Sequence, residues 1–289
     1  MQPSSPTFGP LVDAAWLVEH LADVVVCDIR WYLDGRSGRA AFELGHLPGA
    51  RFVDLDVDLA APPGGIDGRH PLPSPDRFAD AMSQLGIGDD TRVVAYDDTG
   101  GSTAARLVWM LRALREPAAL LDGGLTTWSG ALETGAGATP RPGSFTPRQW
   151  PAEAFTDADA LSAALARRDV VAIDARAGER YRGEIEPIDS RAGHVPGALN
   201  VPWATLVDRD TRRVRPPAEL RAAFAAAGID DRTAVVTYCG SGVNACFDAL
   251  ALEMAGLAPP KVFVASWSGW SSDPARPAAT GAEPDGNPR

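Results

Sequence analysis

The stretch Ala234-Val235-Val236-Thr237-Tyr238-Cys239-Gly240-Ser241-Gly242-Val243-Asn244-Ala245-Cys246-Phe247-Asp248-Ala249-Leu250-Ala251-Leu252-Glu253-Met254 decides the fold. It opens as an apolar, β-branched run, turns glycine-rich, and closes with a helical pattern. That order reads as strand, tight loop, helix. Such a loop aims several backbone N–H groups, together with the helix N-terminus, at one point. A sulfur placed there has its thiolate stabilised, and Cys239 stands where the strand meets the loop. The plainer reading is a small buried side chain closing a strand. The rest of the chain favours the reactive one.

Working outward, the chain repeats itself at a spacing of roughly 145 residues, too long for a solenoid and therefore a duplicated domain. Cys27-Asp28-Ile29-Arg30 answers to Ile173-Asp174-Ala175-Arg176, and Gly45-His46-Leu47-Pro48-Gly49-Ala50 to Gly193-His194-Val195-Pro196-Gly197-Ala198. Arg92 to Asp97 matches Ala234 to Cys239, and the Leu121 to Trp128 block is a looser match to Val264 to Trp270. In each half, short β-like runs (24–27 and 93–96; 170–173 and 234–238) alternate with helical stretches (103–114; 217–227 and 244–255). Continuous apolar strands between helices indicate an α/β fold, each half a mainly parallel sheet flanked by helices. The first domain is expected over 8–133 and the second over 155–272, with a Gly/Pro/Thr-rich linker at 134–154. Pro, Gly and Ala crowd 273–289, which reads as a flexible tail. At the position of Cys239 the first half carries Asp97, so one copy alone keeps a nucleophile.

Composition narrows the function classes. The 289 residues are 45% hydrophobic and 22% charged, a globular balance. No apolar run approaches the ~20 residues of a membrane span, and Met1 to Pro6 has neither a basic nor an apolar leader region. A net charge of −11 argues against nucleic acid or an anionic membrane as partner. Cys27, Cys239 and Cys246 are too few and too scattered for a disulfide framework, and no Cys/His cluster has metal-ligand spacing. A cytoplasmic protein without metal or cofactor is expected.

On these blocks the whole chain resembles the two-domain rhodanese-like sulfurtransferases. The Gly-His-x-Pro-Gly-Ala block in both halves, Asp122-Gly123-Gly124 followed by Trp128, and the strand-to-Cys239 loop carry the resemblance. Cys239-Gly240-Ser241-Gly242-Val243 is similar to the loop of the 3-mercaptopyruvate type, with Asn244 where that type has Thr. The resemblance implies that Cys239 takes sulfur from a small anionic donor as a persulfide and passes it to cyanide or to a thiol, such as a thioredoxin-like acceptor. It also implies donor binding by the loop residues Gly240, Gly242, Val243 and Asn244. Ser241 falls on the family's loop serine. Its His and Asp partners fall on His70, in His70-Pro71-Leu72-Pro73, and Asp56, in Phe52-Val53-Asp54-Leu55-Asp56. Such a trio moves a proton between donor and serine. Arg182 in Tyr181-Arg182-Gly183 matches the family's substrate arginine, and Arg191 stands in a shifted register as a second.

Blander readings accompany these. His70 and Asp56 also read as loop and turn residues, and Arg191 as half of a surface ion pair. His46 and His194, present in both copies, read as structural, His20 as a helix-end residue, and Arg30 and Arg176 as architectural. Cys246 shares a helix face with Leu250 and Met254 and reads as buried rather than as a resolving thiol, and Cys27 reads as inert. Trp267 and Trp270 fit a cleft wall or core packing equally well. Thiosulfate:cyanide sulfurtransfer is the nearest alternative, although Gly240 and Ser241 give a doubly charged donor no cation. A phosphatase needs Arg at the position of Ala245. A non-catalytic sulfur carrier or regulatory binding protein is the remaining class.

Overall fold

The computed structural model describes residues 8–137 and 139–286, so the Met1 to Pro6 opening and the last three residues of the expected tail lie outside the described residues. The first sheet comprises β1 (Leu11–Val12), β2 (Val25–Asp28), β3 (Arg51–Phe52), β4 (Val93–Tyr96) and β5 (Ala118–Leu121), in the order β1-β5-β4-β2-β3. The second comprises β6 (Phe155–Thr156), β7 (Val171–Asp174), β8 (Leu199–Asn200), β9 (Val235–Tyr238) and β10 (Lys261–Phe263), in the order β6-β10-β9-β7-β8. Every pairing is parallel and the two orders are the same, as the internal repeat requires. Helices cover both faces of each sheet, which is why β2, β4 and β9 are buried at every position and mostly apolar, with Asp28 and Thr237 as buried polar exceptions.

The helices of the first half are α1 (Ala14–His20), α2 (Gly38–Leu44), α3 (Leu55–Asp58), α4 (Pro75–Gln84) and α5 (Ala104–Ala113). Those of the second are α6 (Ala158–Arg167), α7 (Gly178–Tyr181), α8 (Pro217–Ala226), α9 (Asn244–Met254) and α10 (Ser266–Ser272). Helices α5 and α9 follow the equivalent loops of the two halves and pack against each other. The largest apolar cluster therefore spans both halves, joining Phe78, Val108 and Met110 to Phe224, Phe247 and Leu252. This shared core fixes one domain on the other, and an ion pair between Arg112 and Glu253 closes its far end.

The segment 134–154 is fastened rather than loose. Phe145 is buried edge-on against Phe78, and the Trp150 indole N–H donates to the Pro73 carbonyl at 2.8 Å. The expected flexible tail is a correction as far as Gly286. Ala278 and Ala279 are buried, Ala279 exchanges backbone hydrogen bonds with His194, and the Gly197 N–H donates to the Pro284 carbonyl at 2.8 Å. The first domain closes in the same way, with Glu133 bridged to His46. A single bridge has no periodicity for a sequence to display, so Pro/Gly composition masks it.

One core residue breaks the apolar pattern. Asp248 in α9 is fully buried and neither carboxylate oxygen has a hydrogen-bond partner among the described residues. Burial pushes its carboxyl well above the ordinary value. A raised folded-state value means the penalty is absent below the unfolded value and grows as pH rises from there towards the folded one. Asp248→Asn is therefore expected to stabilise the protein by about 1–3 kcal/mol near neutral pH, with the gain vanishing near about pH 4. Thermal unfolding of both proteins across that range checks the sign.

Candidate active site

The Cys239 loop is held from below by α10. The Cys239 N–H donates to Ser266 Oγ at 3.1 Å, the Cys239 carbonyl accepts the Trp267 N–H at 3.0 Å, and the Gly240 carbonyl accepts the Ser268 N–H at 2.8 Å. Inside the loop the Gly242 N–H donates to Cys239 Sγ at 3.2 Å. Gly242 has φ +77°, and a Cβ there would sit 2.3 Å from the Val264 carbonyl oxygen, so only glycine lets the loop close. Cys239 is 1% exposed.

The first-domain loop shows what this architecture does to an anion. The Asp97 carboxylate accepts the backbone N–H groups of Thr99, Gly101, Thr103 and Ala104 at 2.8–3.0 Å, together with the Thr103 hydroxyl. One copy of the loop thus carries a fixed anion, and the other a thiol.

The first domain reaches this thiol through one loop. A 3-10 turn over Gly65–Asp67 packs on α10; Gly68 then takes φ +83°, where a Cβ would lie 2.5 Å from the Ala265 carbonyl oxygen. The Arg69 N–H donates to Ser268 Oγ at 3.1 Å, and His70 follows, 5% exposed. His70 Nδ1 is 2.8 Å from Ser241 Oγ and His70 Nε2 is 2.8 Å from Asp56 Oδ1. An ionised carboxylate only accepts, so Nε2 carries a proton, and in the neutral imidazole Nδ1 then accepts from the Ser241 hydroxyl. Asp56 also accepts the Trp31 indole N–H at 2.9 Å. Its carboxyl is held below the usual carboxylate range, first by the His70 hydrogen bond and then by Trp31, against the opposing effect of burial. Beneath the trio lies Arg106 of α5, fully buried, donating to the carbonyls of His70 at 3.0 Å and Gly242 at 2.9 Å.

The structure brings Cys239, Ser241, His70 and Asp56 together, with Gly240 and Gly242 in the same loop. Val243 is buried, and Asn244 turns its amide to the Ser102 carbonyl of the first domain at 3.4 Å. The arginines require a correction. Arg182 pairs with exposed Glu184 at 2.7 Å and lies over Gly178, away from the loop. Arg180 is the residue over Gly240, its Nη1 3.4 Å from where a Cβ would stand. Two residues along an α-helix are about 200° apart, so only one of this pair faces the site. Arg191 is also displaced: it donates to the carbonyls of Ser271, Asp273 and Arg276 and ties down the end of α10.

Other side chains take their plainer roles. The Cys27 and Cys246 thiols are buried, and burial pushes each up to about 12. His46 and His194 are buried, each stacked on a ring (Phe42 and Tyr181) and bonded to that residue's carbonyl. Trp267 and Trp270 are buried. Sequence reasoning missed Arg180, Arg69, Trp31, Arg106 and Ser266. Ser266 matches Gly124: each has positive φ, and the next residue donates its N–H to the carbonyl of Cys239 or Asp97. The pair stands in the same register as Cys239 with Asp97 and Trp270 with Trp128.

These features define a two-domain α/β protein in which a loop thiol of one domain meets a Ser–His–Asp chain completed by the other. Among the described residues no helix is long and apolar enough to cross a membrane. The family model for the rhodanese-like domain matches residues 13–131 and 157–273. A probable 3-mercaptopyruvate sulfurtransferase of Pseudomonas aeruginosa is 42% identical over 269 residues, covering 90% of this chain and 93% of that protein. A putative thiosulfate sulfurtransferase, SseB, of Mycobacterium tuberculosis is 37% identical over 97% of this chain and 99% of its own length. The crystal structure of SseA from Escherichia coli, a 3-mercaptopyruvate sulfurtransferase, superposes with a TM-score of 0.78 at 33% identity, over 90% of this chain and 99% of that one. The chain belongs to the rhodanese-like domain family, with two copies of the domain.

Two outcomes are expected from the site's geometry. Trp31→Phe removes a hydrogen bond that favours the Asp56 carboxylate, so the Asp56 titration followed by carbon NMR is expected to move upward. Ser266→Ala keeps the positive φ and loses the acceptor for the Cys239 N–H, whereas Ser266→Gly relieves the backbone. Denaturant unfolding is therefore expected to rank Ser266→Gly above Ser266→Ala by about 1 kcal/mol.

Proposed function

We propose that the protein transfers sulfur from 3-mercaptopyruvate to a thiol or cyanide acceptor through a persulfide on Cys239. The observation that carries this reading is the Asp56–His70–Ser241 chain ending within the Cys239 loop. The Cys239 thiolate attacks the donor sulfur, and a sulfur–sulfur bond forms as the donor carbon–sulfur bond breaks. The bonding pair leaves on the three-carbon fragment as an enolate, so carbon is reduced as sulfur is oxidised. The proton shed by the outer sulfur passes through Ser241 and His70 to that enolate carbon, giving pyruvate and leaving the persulfide on Cys239. An acceptor thiolate or cyanide then attacks the outer sulfur and returns Cys239 as thiolate. The cycle is ping-pong.

The donor assignment rests on the proton relay. Expelling an enolate needs a proton, whereas sulfite leaves thiosulfate without one. Arg180 beside Gly240 is the proposed cation for the donor carboxylate. The M. tuberculosis relative's name makes thiosulfate the second reading. A reducing compartment, the cytoplasm, is the proposed setting, because acceptor thiols are maintained there.

Ser241→Ala and His70→Ala are expected to slow pyruvate release from mercaptopyruvate by roughly 100-fold while slowing sulfite release from thiosulfate by less than about threefold. Stopped-flow measurement of the first half-reaction checks this. Equal losses with both donors would remove the relay from the mechanism.

A further inference from the structure

Two arginines from different domains converge on the face of Gly240. Arg69 Nη2 lies 3.0 Å from where a Cβ on Gly240 would stand, and Arg180 Nη1 and Nη2 lie 3.4 and 3.6 Å from it. Neither arginine belongs to the loop. A carboxylate already sits between them: Asp189 pairs through Oδ1 with Arg69 and through Oδ2 with Arg180, the latter at 3.2 Å. The Asp189 side chain is 4% exposed, against 26% for Arg69. Arg180 has a second partner in Glu186 at 2.7 Å, yet its Nε is buried with no hydrogen-bond partner among the described residues. Arg69 has no carboxylate partner other than Asp189 among the ion pairs of the described residues.

We propose that Asp189 is an internal stand-in for the donor's carboxylate: it fills an anion seat between Arg69 of the first domain and Arg180 of the second, and the donor displaces it from the arginines as it settles over Gly240. This rests on the proposed anionic donor and adds two residues to it, Arg69 as a specificity-determining cation and Asp189 as its internal competitor. Burial opposes the charge on Asp189 and raises its carboxyl, so its hold on the arginines is weaker than its short contacts imply. A small mobile carboxylate offering a bidentate face to the same two guanidinium groups competes with it directly. The seat also explains the neutral loop. With two cations already against Gly240, a basic side chain at that position would meet both their bulk and their charge.

A structural ion pair and a competitor predict different signs. If Asp189 and Arg69 merely brace the site, Asp189→Asn and Arg69→Met each loosen it, and the donor KM rises in both. If Asp189 competes for the seat, Asp189→Asn lowers the mercaptopyruvate KM and the pyruvate inhibition constant by about tenfold with kcat nearly unchanged. Arg69→Met then raises both by about tenfold, and Arg69→Lys, which keeps the charge without the fork, falls between. Steady-state kinetics with cyanide as acceptor read all three variants. Movement of KM in the same direction for Asp189→Asn and Arg69→Met with both donors, or no movement with either donor, overturns the proposal. The same variants measured with thiosulfate separate the two inferences. Opposite KM shifts seen only with thiosulfate retain the anion seat and remove mercaptopyruvate as donor, while pyruvate release without opposite shifts retains the donor and removes the seat.

Discussion

The 2.8 Å contact between His70 Nδ1 and Ser241 Oγ crosses the domain boundary, and the site has no counterpart to it within either half. The second domain supplies the thiol and the serine; the first supplies the imidazole and its carboxylate. That contact survives only if the two sheets keep one relative position. The shared apolar core of α5 and α9 provides it, since an interface of this kind resists the shear that a polar one tolerates. Arg106 finishes the task at close range, holding the carbonyls of His70 and Gly242 with one buried guanidinium.

Duplication then gives the chain an internal comparison. Both halves make the same strand, loop and helix; the first loop turns four backbone N–H groups onto Asp97, and the second turns that of Gly242 onto Cys239 Sγ. In the first, Asp97 occupies the cradle permanently and ties the loop shut. In the second, the Cys239 thiol stands at the same point. The first half contributes what an inert copy still offers: a rigid platform for the 64–70 loop, which presses Gly68 and Arg69 onto α10 and presents His70 at its end.

Much of this was legible in the chain. The β9 run, the glycines at 240 and 242 and the α9 pattern are local signals, and local signals survive in sequence. The repeat added what one copy could not, because the Gly-His-x-Pro-Gly-Ala block recurs with its histidine in a half that lacks the thiol. The rest depended on facing and on distant pairing. Arg180 and Arg182 differ by two positions, and the one-turn helix α7 alone decides which meets Gly240. Arg191 sits near the expected place in sequence, yet its fork is spent on the end of α10. Trp31 reaches Asp56 from 25 positions away, and Arg106 reads as one more arginine on a helix. The stretch beyond Asp273 looked unstructured because its order comes from isolated contacts without periodicity, such as the bridge to His194 and the bond from Gly197 to Pro284.

The most direct test of the sulfur-transfer cycle is intact-mass measurement of the protein after brief exposure to 3-mercaptopyruvate, and separately to thiosulfate, with Cys239→Ser alongside. One added sulfur from mercaptopyruvate, removed by cyanide and absent in Cys239→Ser, is the predicted result. No added sulfur from mercaptopyruvate, or an added sulfur that persists in Cys239→Ser, would contradict it.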